Sequence, residues 1–193
     1  MDVTSITNYL NSWGQEVITN AKLKLRAGGK GGGALEQSIN FKVKPDEKGF
    51  VVQFSMLEYG QYMDKGVKGA GGEIKTGKNA GTWGGRRYYT TWEGKRKDSP
   101  YQYGSGRSSG SIYKGIGSFI KKKGLKGRDS KTGRYITNKS LEFAIVKTIW
   151  VKGIHGISFF QEPLGFGMKK LIPLFKFNLK EDILNNLSKT TLS

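Results

Sequence analysis

The chain has 193 residues, 33 Lys and Arg against 15 Asp and Glu, a formal charge of +18, one histidine and no cysteine. Without cysteine there is no disulfide framework, thiolate metal site or cysteine nucleophile, and the single His155 excludes a metal site needing two imidazoles. The charge instead favours an anionic partner, either a phosphate polymer or an acidic protein face.

At this length one domain over residues 1–193 is expected, since two comfortable cores do not fit. No apolar run approaches the roughly 20 residues of a membrane span, and "MDVTSITNYLNSW" lacks a basic segment before an apolar one. The chain therefore reads as soluble, made in the cytoplasm and without a membrane partner.

The first predicted element is an amphipathic helix over residues 3–25. Val3, Ile6, Leu10, Trp13, Val17, Ala21 and Leu25 fall at three- and four-residue steps, Asp2 or Thr4 is available as N-cap, and glycines from Gly28 supply the stop. "GGKGGG" then puts five glycines in six residues, which regular structure does not hold cheaply. "SINFKVK" and "FVVQFSM" flank "PDEKG" and predict a β-hairpin around a turn carrying a proline, two acids and a glycine.

Periodicity is then lost, and residues 67–111 read as an extended glycine-rich loop or arm inserted in the domain. "SIYKGIGSFIKKKGL" regains a helical step through Ile112, Ile116, Phe119 and Ile120, weakened by Gly115 and Gly117. "NKSLEFAIVKTIWVKG" predicts a clearer helix, with Asn138 as cap, Leu141, Ile145, Thr148 and Ile149 on one face, and Gly153 as the stop. Pro173 makes "LIPLFKF" read as an edge strand, and Asn178 with Glu181 predicts a short helix from Leu179. The fold class expected is α+β: a long N-terminal helix, a small antiparallel sheet, two or three further helices and a long basic glycine-rich excursion.

Charge sorts unevenly onto this plan. Residues 1–85 carry a net of +3 and residues 135–193 a net of +4, whereas residues 86–134 hold 14 basic against 3 acidic side chains, a net of +11.

Enzyme chemistry finds little footing. Asp46 with Glu47 sits at the hairpin turn and Glu181 with Asp182 at a helix start, where acids serve conformation and the helix dipole. His155 lies in "KGIHGIS" just after a helix, and "GGKGGG" lacks the lysine-serine ending of a phosphate loop. No catalytic, metal or cofactor site is expected.

"GGRRYYTTWEGKRKDSPYQYG" interleaves cations with aromatic rings, a composition that suits nucleic acid: cations hold phosphates and rings stack on bases. The nucleic-acid candidates are Arg86, Arg87, Lys95, Arg96, Lys97, Arg107, Lys121, Lys122, Lys123, Lys126 and Arg128. The competing reading makes "KKK" a solvated helix end and the tyrosines contacts to a neighbouring subunit.

Four stretches, in order, resemble the small head-to-tail joining (tail-completion, or neck) proteins of tailed bacteriophages. Gly33, Ala34, Leu35, Ser38 and Ile39 follow the N-terminal helix; "YGQYMDKG" supplies Tyr59, Tyr62, Met63, Asp64 and Gly66; a helix ending in Gly153 and Ile154 leads to Phe159, Phe160, Pro163 and Leu164. "SPYQYGS" with the two helical stretches after it resembles an insertion of longer members. Asp64 and Lys65 stand where that family more often has a glutamate and an aromatic or small residue.

The resemblance implies a non-enzymatic virion protein in the neck, forming a ring of its own copies, twelve or alternatively six. Its neighbours would be the portal and adjacent neck or tail proteins, with contact to genomic DNA. It implies subunit-interface roles for Tyr59, Tyr62, Asp64, Gly66, Tyr88, Tyr89, Trp92, Phe159, Phe160 and Pro163. The alternative from a different class is a sequence-nonspecific nucleic-acid-binding protein of DNA packaging or processing.

Overall fold

The computed structural model describes residues 4–47, 49–75, 77–103, 110–129 and 131–191. In chain order the elements are α1 (Thr4–Ala27), α2 (Ala34–Ser38), β1 (Asn40–Asp46), β2 (Gly49–Ser55), α3 (Gly60–Lys65), β3 (Val67–Lys68), β4 (Gly72–Ile74), β5 (Gly81–Trp83), β6 (Tyr88–Thr90), β7 (Arg96–Asp98), α4 (Gly110–Lys123), α5 (Asn138–Lys152), β8 (Gly153–Ile154) and α6 (Gln161–Thr191). The fold is α+β, with two-stranded ladders β1–β2, β3–β8, β4–β5 and β6–β7. Two compact units divide the chain: Met1–Asp64 with Thr90–Arg96 and Ile157–Ser193, and Lys65–Tyr89 with Lys97–Gly156.

In the first unit α1 buries Ile6, Leu10, Trp13, Val17, Ala21 and Leu25, the face its periodicity predicts. Leu35 of α2, Ile39, Phe159 and Phe160 complete the core, with Phe41, Val52 and Phe54 of the hairpin and Leu164, Met168 and Leu171 of α6 packed against it. β1 and β2 pair antiparallel from Asn40 opposite Ser55 to Asp46 opposite Gly49. Alternation turns one face of the hairpin inward, where Phe54 meets Trp13 and Phe160 edge-on at 5.8 and 5.3 Å. Gly167 lets α6 approach α1 closely, because a Cβ there would press on Val17 and Trp13.

The C-terminal segment corrects the expectation of an edge strand at "LIPLFKF" and a separate helix from Leu179. α6 runs unbroken through Pro173. Proline's fixed φ suits a helix; what it removes is one backbone donor, the one that would reach the carbonyl of Lys169. Burial of Leu164, Met168 and Leu171 on α1 outweighs that loss, and the Tyr9 hydroxyl donates to the carbonyls of Lys170 and Leu171, both at 3.4 Å.

Carboxylates close the helix ends of this unit. Asp182, within α6 and 4% exposed, accepts from the amides of Ser5 and Ile6 at the start of α1. Asp64, 3% exposed, accepts from the amides of Phe160 and Gln161 at the start of α6. Buried Glu36 takes the Arg26 side chain at the end of α1 and the Gly32 amide of the following loop.

In the second unit α4 packs on α5, and Ile120, Val146, Val151, Val67 and Ile74 are buried. The N-cap of α5 is Thr137, whose hydroxyl accepts the Ser140 amide; Asn138, the expected cap, is the first helical residue. Gly153 ends α5 as expected, at φ 78° with its amide on the Ile149 carbonyl. Backbone bonds hold the glycine-rich stretch: Lys68 to Tyr101 and back from Tyr103, Gly69 to Gly85, and Ala70 and Gly71 to the last turn of α5.

Candidate nucleic-acid interface

The most basic described segment begins in the last turn of α4, where Lys121, Lys122 and Lys123 are exposed next to a helix C-terminus that favours positive charge. Gly124 ends the helix at φ 61°, with its amide on Lys121 and that of Leu125 on Ile120. The chain then folds back on itself. The Ile136 amide donates to the Gly127 carbonyl at 3.0 Å, Arg128 bridges Tyr135 antiparallel, and the Asp129 amide donates to the Arg134 carbonyl at 2.8 Å.

Asp129 organises the tip. Its Oδ1 accepts from the amides of Lys131 and Thr132 and from the Thr132 hydroxyl. Those bonds, the Thr132 amide first, hold its carboxyl below the usual aspartate range. Residues 121–135 contain seven Lys and Arg and this one acid, which is committed to its own turn.

On one side of the turn the Tyr135 ring, 62% exposed, carries the Arg128 guanidinium at 4.5 Å from its centroid and Lys126 Nζ at 5.9 Å. Arg128 also donates to the Tyr135 hydroxyl at 2.7 Å. A cation stacked and bonded in this way is held in place while its remaining donors face solvent.

The other basic candidates are placed variously. Arg86 and Lys97 are exposed in the second unit. Arg87 is half-buried, donates to the Arg86 carbonyl and has its Nε enclosed with no acceptor among the described residues; burial lowers its pKa. Lys95 and Arg96 belong to the hairpin tip of the first unit, where Lys95 pairs with Glu93 at 2.9 Å. Arg107 lies outside the described residues.

Of the candidate subunit contacts, Tyr59, Tyr62 and Trp92 are exposed and Tyr88 and Tyr89 half-buried. Asp64, Gly66, Phe159, Phe160 and Pro163 are buried within the chain. In the first unit two of the ordered motifs meet, as Asp64 seats the Phe159–Phe160 turn through the Phe160 amide. In the second, Gly66 leads into β3, whose Val67 pairs with Ile154.

Comparison with protein-family models, with curated proteins and with solved structures finds no match for this chain. Among the described residues no group of three or more His, Asp or Glu side chains is placed to hold a metal ion, and no helix is long and apolar enough to cross a membrane.

The candidate cations named from the sequence end at Arg128, short of the rest of this turn. Lys131, Arg134 and Tyr135 belong to the same surface, and the signal was present: "RDSKTGRY" joins an Asp-x-x-Thr-Gly turn to flanking cations and a ring.

A second surface lies in the first unit. Phe166, Pro173, Phe177 and Leu184 follow one another along α6 at steps of seven, four and seven, one stripe of the helix, and all are exposed. Lys169, Lys176 and Lys180 flank it. Rotated away from the stripe, α6 joins α1 and β2 around an apolar groove of about 370 Å³ lined by Trp13, Phe50, Val52, Leu171 and Phe175.

Proposed function

We propose that the chain is a structural virion protein of a tailed bacteriophage, assembling as a ring in the neck between portal and tail, around the channel through which DNA leaves. Its motifs resemble those of head-to-tail joining proteins, and the observation that carries the reading is the pairing of an exposed apolar stripe with an apolar groove on different faces of one unit. A stripe and a groove on different faces make a heterologous, head-to-tail contact rather than a two-fold one, and such contacts form a ring where the rotation between neighbours closes. The net charge of +18 suits a conduit that passes DNA without reading its sequence.

Electron microscopy of the purified chain, alone and mixed with portal rings, tests this. Rings of this chain seated on the portal are expected. A double substitution Phe177→Lys with Leu184→Lys blocks assembly from the stripe side, and Val52→Lys from the groove side. Mixing the two variants restores a single functional contact and yields a one-to-one heterodimer. A chain that stays monomeric both alone and with portals overturns the reading.

A further inference from the structure

We infer that the turn formed by residues 124–129 and 131–136 is a preformed contact for the phosphodiester backbone of a duplex, with Arg128 as its fixed anchor and Tyr135 as the residue that positions it. The inference deepens, and rests on, the reading that the chain works beside DNA.

Three observations carry it. The segment concentrates positive charge: residues 121–135 hold seven Lys and Arg against the single Asp129, whose carboxylate is bonded within its own turn by the Lys131 and Thr132 amides, and the excess of cations remains. The turn is closed before any ligand arrives, by the Asp129 to Arg134 and Ile136 to Gly127 bonds. Ordering cost on binding is thereby reduced. Finally, the Tyr135 ring is engaged by Arg128 through both its face and its hydroxyl. It is thus a rest for a guanidinium, and an Arg held with donors outward matches phosphate oxygens.

The same geometry sets the ligand class. The ring is committed to a cation, so the turn offers charge and shape rather than a platform for splayed bases, and a duplex, with its denser charge, is favoured over a single strand. An acidic protein face is the competing occupant. It lacks the evenly spaced, closely set anions that release condensed counterions when bound.

The test is a fluorescence anisotropy titration of the full chain with a short DNA duplex across a salt series, repeated with poly-L-glutamate. The triple variant Lys126→Gln, Arg128→Gln, Lys131→Gln is expected to bind the duplex roughly tenfold or more weakly at physiological salt. Its slope of log affinity against log salt should be lower by about 3, at roughly 0.9 for each phosphate that is no longer neutralised. Tyr135→Leu keeps every charge, so it should weaken binding about two- to fivefold at an unchanged slope, while Tyr135→Phe, which keeps the ring, recovers most of that loss.

Unchanged duplex affinity and slope in the triple variant overturns the inference. So does poly-L-glutamate binding as tightly as the duplex, which would assign the turn to an acidic protein. Tyr135→Leu behaving as wild type overturns the positioning role. Circular dichroism melts check that each variant is folded. Light scattering on the same samples reads ring formation separately, so loss of the duplex site and loss of assembly are told apart.

Discussion

Asp182 accepts the backbone amide of Ile6 at 3.0 Å across 176 positions of sequence, so the last long helix of the chain caps the first. The first amides of a helix have no intrahelical partner, and here a buried carboxylate supplies one while meeting the positive end of the α1 dipole. Asp182→Ala is expected to destabilise the first unit by about 1–2 kcal/mol. Asp182→Asn, which keeps an acceptor and loses the charge, should cost about half as much. Urea denaturation followed by tryptophan fluorescence measures both, and an Asp182→Ala midpoint equal to wild type would refute the cap.

Glu36 provides a pH signature. The Arg26 side chain first, and then the Gly32 amide, hold its carboxyl below the ordinary value of about 4.5. A carboxyl lowered in the folded state binds fewer protons there than in the unfolded chain. Its stabilisation is therefore complete above the unfolded value and is lost as pH falls through the folded one. The melting temperatures of wild type and Glu36→Gln should differ by a constant amount above about pH 5.5 and converge as pH drops below the ordinary glutamate range. A gap that is the same at pH 3 and pH 7 would show that the carboxylate charge contributes nothing.

Where contacts are local, the sequence was legible. α1 was readable because one face of a single helix is buried at its own period, and the β1–β2 hairpin because turn and alternation agree within sixteen residues, from Asn40 to Ser55. Asp182 was visible only as an acid at a helix start and Asp64 only as the acid of a tyrosine-rich motif, because their partners lie 176 and 96 positions away. Pro173 misled for the related reason that a local rule for proline carries no information about α1. In the basic segment composition found Lys126 and Arg128, but not Tyr135, whose role depends on the antiparallel bridge that brings it back opposite Arg128.

Gly153 joins two tasks in the second unit. It ends α5 in the left-handed region at φ 78°, and it pairs with Lys68 in the β3–β8 ladder, where a Cβ would run into the Val67 carbonyl. Neither the strain nor the overlap has a flexible side chain to absorb it. Gly153→Ala is expected to cost about 2–4 kcal/mol, the sum of a strained backbone and an overpacked site. Hydrogen exchange is the appropriate readout: the amides of Ala70 and Gly71, which bond to the last turn of α5, should lose protection, while those of α1 keep theirs. Wild-type protection at Ala70 would contradict the argument.

Tyr9 and Pro173 should be energetically coupled although their side chains perform unlike tasks. Proline in a helix interior removes a donor and crowds the preceding turn, a cost of about 3 kcal/mol on an isolated helix. In α6 the Tyr9 hydroxyl reaches the carbonyls of Lys170 and Leu171, just past the one that Pro173 deprives. Pro173→Ala restores the donor to Lys169 and removes the ring that holds the preceding turn open, so the carbonyls of Lys170 and Leu171 can close onto the Leu174 and Phe175 amides and depend less on Tyr9. Pro173→Ala is therefore expected to stabilise the chain, and Tyr9→Phe to cost about 0.5–1.5 kcal/mol in the wild-type background. In the Pro173→Ala background Tyr9→Phe should cost measurably less, giving a coupling of at least about 0.5 kcal/mol in a double-mutant cycle. Strict additivity would mean that the tyrosine holds α6 by ring packing alone, with the hydroxyl contributing nothing to the repair of the proline break.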